Sequence, residues 1–204
     1  IAKANTAINR FETQISWSDS NLENNTYGIA QARALRAMAF FNLAEQYGGV
    51  PLDLEEPLTI RNDYTRATEE QTFALIINEL EEAIPTLKDN PEVGRLSKRA
   101  AQHLLAKVYL TRAYKSFAGA TDFETAADLA VLAIGSFDIR SQTFAEVFDY
   151  DNQANEEILF AAQWANNGFA EDRGNNKHSL FMNKVQELPG VSRSNQYGVQ
   201  GDGL

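Results

Sequence analysis

The chain has no cysteine among its 204 residues, which excludes disulfide scaffolds, Cys-ligated zinc, iron–sulfur clusters and thiol nucleophiles. Five prolines and twelve glycines are too few for collagen-like or low-complexity classes. Basic residues are also scarce: 18 Lys and Arg face 28 Asp and Glu, a net charge of −10. Such a balance repels polyphosphate and anionic lipid surfaces and argues against nucleic-acid partners. No apolar run approaches the roughly 20 residues that span a bilayer, and no secretory-type leader is visible. The two histidines, His103 and His178, do not stand at a metal-ligand spacing, so neither a metal nor a cofactor is expected. What remains is a folded globular composition, 44% hydrophobic and 23% charged, with enough chain for one sizeable core. The start at Ile1-Ala2-Lys3 and the polar stretch from Ser192 onward suggest a piece of a longer protein.

Periodicity predicts a mainly α fold. Ile1, Ala4, Ile8, Phe11 and Ile15 form one helical stripe. Ser20 and Glu23 have capping-box spacing, so a second helix is expected from Asn21 or Leu22 to about Gln46. Between Ala34 and Ala44 its only polar residues are Arg36 and Asn42, which makes it the central, buried helix. Gly48, Gly49 and Pro51 stop it, and an irregular loop follows to about Ala67. Thr68 and Gln71 open a third helix whose apolar set is Phe73, Ile76, Ile77, Leu80, Ile84 and Leu87, with Glu79, Glu81 and Glu82 assigned to its outer face. Pro85 ends it. Ser97 caps a fourth helix, and Thr121 with Glu124 caps a fifth carrying Phe123, Ala126, Ala127, Ala130, Ala133 and Ile134. The short turn between these two predicts an antiparallel hairpin. From Ile158 to Trp164 the alternation changes to period two, which predicts a short strand. The remainder is expected to be surface loop with a short helix over His178 to Leu188.

The hairpin from Ser97 to Ser136 resembles a tetratricopeptide unit, and helices two and three form a looser one with an overlong connection. Such helix pairs are scaffolds for binding. Four runs narrow the reading: ALRAMAFFNLAEQYGGVPL at 34 to 52, RATEEQTFALIINELEEAIPTL at 66 to 87, SKRAAQHLLAKVYLTRAYK at 97 to 115 and NQANEEILFAAQW at 152 to 164. In this order they resemble the SusD/RagB family of outer-membrane nutrient-binding lipoproteins, over about Ala2 to Trp164. The resemblance implies irregular tetratricopeptide-like hairpins over 1–164 and a loop-rich start of a further region over 165–204. It also implies an N-terminal lipid anchor outside this sequence and a place on the extracellular face of the outer membrane. A SusC-like TonB-dependent transporter would be the partner, and an oligosaccharide or peptide would be captured without catalysis. The hairpins alone would equally suit a tetratricopeptide-like adaptor for protein partners, which an upstream lipobox cysteine would distinguish.

Sugar recognition sets flat aromatic faces beside amides and carboxylates. Two clusters fit: Trp17, Asp19 and Asn21 at a helix–helix turn, and Trp164, Asn166 and Asn167 where the strand runs into loop. The plainer reading makes Trp17 a staple at the corner and Trp164 a core residue on the face of Phe160. Arg36 is expected to meet a buried carboxylate or carbonyl. Glu55-Glu56, Glu69-Glu70 and Glu81-Glu82 are expected to be solvated surface, because neighbouring helical residues diverge and cannot face each other as glycosidase carboxylates must. Asp149, Asp151, Asn152 and Asn155 lack the glycine and terminal glutamate of an EF-hand loop.

Overall fold

A computed structural model describes residues 1–18, 21–149, 152 and 155–161. Its first five helices follow the predicted order, α1 (Ala2–Thr13), α2 (Leu22–Tyr47), α3 (Glu69–Ala83), α4 (Lys98–Arg112) and α5 (Asp122–Ile134), and a four-residue α6 (Phe144–Val147) that the sequence pattern does not predict comes after them. Successive long helices pair as hairpins, α1 with α2, α2 with α3 and α4 with α5, and the core lies between α2, α3 and α4.

Helix α2 is central because it buries residues on several faces, among them Ala30, Ala34, Ala37, Phe40, Phe41 and Ala44. Its small residues let neighbours come close. At Gly28 an added Cβ would lie 2.1 Å from the ring of Phe11, so α1 sits directly on that helix. Phe41 and Phe73 meet edge to face at 6.2 Å, joining α2 to α3. Gln31 ties α2 to the chain ahead of α4 through both halves of its amide: Nε2 donates to the Leu96 carbonyl at 2.6 Å and Oε1 accepts from the Leu96 N–H at 3.0 Å.

Arg36 finds the buried carboxylate that its position demands. Its Nε and Nη2 each donate to Glu79 at 2.8 Å, and its Nη1 donates to Asn5 Oδ1 at 2.9 Å. Glu79 therefore departs from the outer-face assignment: it is buried at 2% exposure, because a guanidinium inside the core needs a carboxylate there. Arg33 adds a second contact to Glu79 and also pairs with Glu82.

The Thr68–Gln71 capping box forms with both reciprocal bonds, at 2.9 and 3.1 Å. Ser97 caps α4 by accepting from the Ala100 N–H. The expected Thr121–Glu124 box does not form, since Thr121 lacks the extended backbone that an N-cap side chain needs. Asp122, the first residue of α5, is held from outside the helix instead: its carboxylate accepts from the Gly119 N–H at 2.8 Å and from Arg112 Nε at 2.8 Å. At the opposite end of the hairpin, Arg99 donates to the carbonyls of Ala133 and Ile134. Two arginines of α4 thus hold both ends of α5 and define the antiparallel pairing.

Helix α5 buries only Ala126, Ala133 and Asp122. Phe123 and Ile134 stand more than half exposed: among the described residues this helix packs chiefly against α4, and Phe123 meets Tyr114 edge to face at 5.2 Å. The expected strand is not seen over its described part: residues 158–161 carry no ladder, and no strand occurs among the described residues with which they could pair. The helix expected over His178 to Leu188 lies outside the described residues.

Two stability predictions follow from these pairs. Glu79→Leu leaves the Arg36 guanidinium buried without its carboxylate and is expected to cost about 3–5 kcal/mol in urea unfolding. The double variant Arg36→Met, Glu79→Leu should recover most of that loss, and equal destabilisation in both would remove the pair from this role. Hydrogen bonding by Arg112 holds the Asp122 carboxyl below its ordinary value of 3.8. Its stabilisation is complete above that value and is lost as pH falls through the lower folded one. The stability gap between the native chain and Asp122→Asn should therefore close on acidification below about pH 4.

Candidate functional site

At the corner between α1 and α2 the Trp17 indole turns inward. Its Nε1 donates to the Phe11 carbonyl at 3.1 Å and its ring meets that of Phe11 edge to face at 5.3 Å. Asn21 is exposed at the start of α2, donating to Ser18 Oγ and accepting from Asn24. Asp19, Trp164, Asn166 and Asn167 lie outside the described residues.

A groove of about 480 Å³ runs over α2 and α4. Phe41, Leu104 and Phe160 make its apolar lining, while Asn42, His103 and Lys107 supply polar groups. Lys107 Nζ lies 5.9 Å from the centre of the Phe41 ring, a cation–π contact at the outer limit of its range. A wider cleft of about 830 Å³ shares His103 and is lined by Ala130, Phe137, Ile139 and Leu159. Both have the make-up of small-molecule sites, apolar walls with a few converging polar groups. The sequence marks His103 only as unsuited to metal. The spacing of His103 and Lys107, four apart on α4, was the available signal that they share a face.

The acidic pairs lie at the surface as expected, Glu55, Glu70, Glu81 and Glu82 exposed and Glu56 and Glu69 half-buried, and several of their members are engaged there. Glu56 accepts from Asn9 at 2.7 Å and from Arg10 at 2.8 Å. These bonds hold its carboxyl below the ordinary value and fasten the α2–α3 loop to α1. Glu69 pairs with Lys115 at 2.7 Å, and Glu81 accepts from the Tyr109 hydroxyl at 2.7 Å. Burial, followed by the bond to Glu81, pushes the Tyr109 phenol up to about 12. Asn155 is turned inward, its amide donating to the carbonyls of Val147 and Asn152. Among the described residues no group of three or more His, Asp or Glu side chains converges as metal ligands do. No described helix is long and apolar enough to cross a membrane.

The loop between α2 and α3 is long and irregular but firmly held. Asn5 Nδ2 donates to the carbonyls of Asp53 and Glu55, each at 2.9 Å, while the Ala67 N–H reaches the Val50 carbonyl at 3.2 Å. Arg66 donates to the carbonyls of Tyr47 and Gly49. An added Cβ on Gly49 would fall 2.0 Å from the Ala67 carbonyl oxygen, so the loop can close at its base only around a glycine. On its outer side lies a basin of about 400 Å³.

Comparison with known proteins matches residues 1–110 to the SusD-like family model, described as starch-binding and associating with the outer membrane. A SusD-like protein of Bacteroides ovatus is 34% identical over 170 residues, 80% of this chain and 31% of that one. A crystal structure determined with a xylogluco-oligosaccharide is similar at TM-score 0.80 and 29% identity, over 97% of this chain and 39% of that one. A laminarin-binding SusD-like protein gives TM-score 0.55 and 25% identity, over 66% of this chain and 28% of that one. The chain spans about a third of the length of these relatives. The family match contains α1, α2, α3 and nearly all of α4, the elements that build the core and its buried ion pair, and the chain belongs to the SusD-like family.

Proposed function

We propose that this chain is the tetratricopeptide-like helical part of a cell-surface protein that captures a glycan and passes it to a SusC-like TonB-dependent transporter, without catalysis. The observation that carries the reading is the match over residues 1–110 to a starch-binding, outer-membrane-associated family. Its closeness in fold to a protein crystallised with a xylogluco-oligosaccharide points the same way. The grooves over α2, α4 and α5 suit binding, being apolar with polar rims. In this reading residues 1–164 form the helical region and 165–204 begin the next, and a lipid anchor upstream holds the protein to the outer membrane. Asn21, Asp19, Trp164, Asn166 and Asn167 are proposed glycan contacts, with Trp17 contributing the part of its ring that Phe11 leaves open.

The test is to extract the full-length protein from its native membranes in mild detergent, identify what accompanies it by mass spectrometry, and titrate it with xylogluco- and laminarin oligosaccharides. Expected are a co-purifying outer-membrane barrel, and binding of a neutral oligosaccharide with no cleavage products. A protein that carries no lipid, brings no barrel and binds no oligosaccharide would sink the proposal and leave the helix pairs as a scaffold for protein partners.

A further inference from the structure

The connection between α2 and α3 is some twenty residues long without secondary structure of its own, and loops of that length in a compact domain are usually functional. A helix hairpin needs only a short link. This one is pinned to α1 through Asn5, Asn9 and Arg10, and closed at its base by Arg66 and the Ala67–Val50 bond. Its two arms are thereby anchored, at 49–56 and at 66–67, and its outward side chains extend from them.

Those side chains surround the 400 Å³ basin, a volume within the range of small-molecule sites, about 300–1,000 Å³. Arg61 is one of its lining residues. Arg61 Nε donates to Asp63 at 3.1 Å, but Nη1 lies 3.6 Å from Glu55 and 3.9 Å from Asp53. Both are loose ion pairs beyond direct hydrogen-bond distance, so the Glu55 and Asp53 carboxylates keep acceptor capacity for a further donor. The Tyr64 ring, 48% exposed, lies alongside with the guanidinium 5.3 Å from its centre. The half left open offers an aromatic surface to an apolar C–H patch.

Three carboxylates against one guanidinium leave the basin two charges negative. The arginine opposes a cation, while the excess of carboxylate and the chain's net charge of −10 oppose an anion. A neutral polyol meets neither objection, because its hydroxyls donate to the carboxylates and accept from the guanidinium. We infer that the α2–α3 loop carries a saccharide subsite, built from Asp53, Glu55, Arg61, Asp63 and Tyr64, that takes uncharged sugars and disfavours uronates. This inference rests on the glycan-capture reading above.

The experiment is calorimetric titration of the full-length protein, and of its Tyr64→Ala and Asp63→Asn variants, with a xylogluco-oligosaccharide, a laminarin oligosaccharide and an oligogalacturonide. Melting temperatures are recorded for each protein. Expected is binding of a neutral sugar that each variant weakens about tenfold at unchanged melting temperature, with the oligogalacturonide at least about tenfold weaker than the neutral ligand. Full neutral-sugar affinity in both variants would overturn the subsite while leaving glycan capture intact. Equal affinity for the oligogalacturonide would overturn the charge selection. Absence of binding to all three by the unaltered protein would overturn the capture reading and this inference together. Leu58 and Ile60 stand exposed at the tip of the same loop, so a protein partner is the competing occupant. Variants that lose the co-purifying barrel and keep their sugar affinity would give the loop to that partner.

Discussion

One guanidinium in an apolar helix constrains the arrangement of the first three helices. Arg36 cannot be left in the core without a carboxylate and a further acceptor, and it finds them on two different helices, Glu79 of α3 and Asn5 of α1. The contact fixes how far along α2 each neighbour must sit, which the small residues around it, such as Ala34 and Ala37, would by themselves leave loosely specified. Asn5 then extends the constraint outward. Its oxygen accepts from Arg36, while its nitrogen holds two carbonyls of the α2–α3 loop, so the loop is positioned by the same network that locks the core.

The other arginines repeat the theme at helix ends. Arg66 reaches the carbonyls of Tyr47 and Gly49 at the end of α2, Arg99 those that end α5, and Arg112 the aspartate that begins α5. The planar guanidinium donates from several fixed directions, which suits it to unpaired helix-terminal carbonyls and to carboxylates alike. Helix hairpins joined in this way form a stiff framework, with the grooves and the loop basin on its surface.

Much of the fold was legible because local chemistry decides it. The alternation of Phe73, Ile76, Ile77 and Leu80, the Thr68–Gln71 box, the Ser97 cap and the glycines after Tyr47 each act within a few residues, and each appears where the sequence puts it. The expectation failed where a distant partner overrode local pattern. Glu79 looked like one more surface acid beside Glu81 and Glu82, yet the need of Arg36 drew it inside. Phe123 and Ile134 had core spacing, yet among the described helices α5 packs chiefly against α4. The Thr121 box does not form, and the start of α5 is held instead through Asp122 by an arginine ten residues earlier. The candidate site was less legible. Asn42, His103 and Lys107 come from two helices far apart in sequence, and no short-range pattern unites them.

By itself, then, the sequence determined the helical class, the order and ends of the helices, the central place of α2 and the family resemblance, all consequences of periodicity, capping and ordered motifs. The tertiary structure alone decided which acid answers Arg36, how Gln31 and Arg99 tie separate segments together, and how the α2–α3 loop is held to present Arg61 and Tyr64. These depend on groups 30 to 65 residues apart along the chain, and a contact at that separation is set by the geometry of packing and not by any local preference.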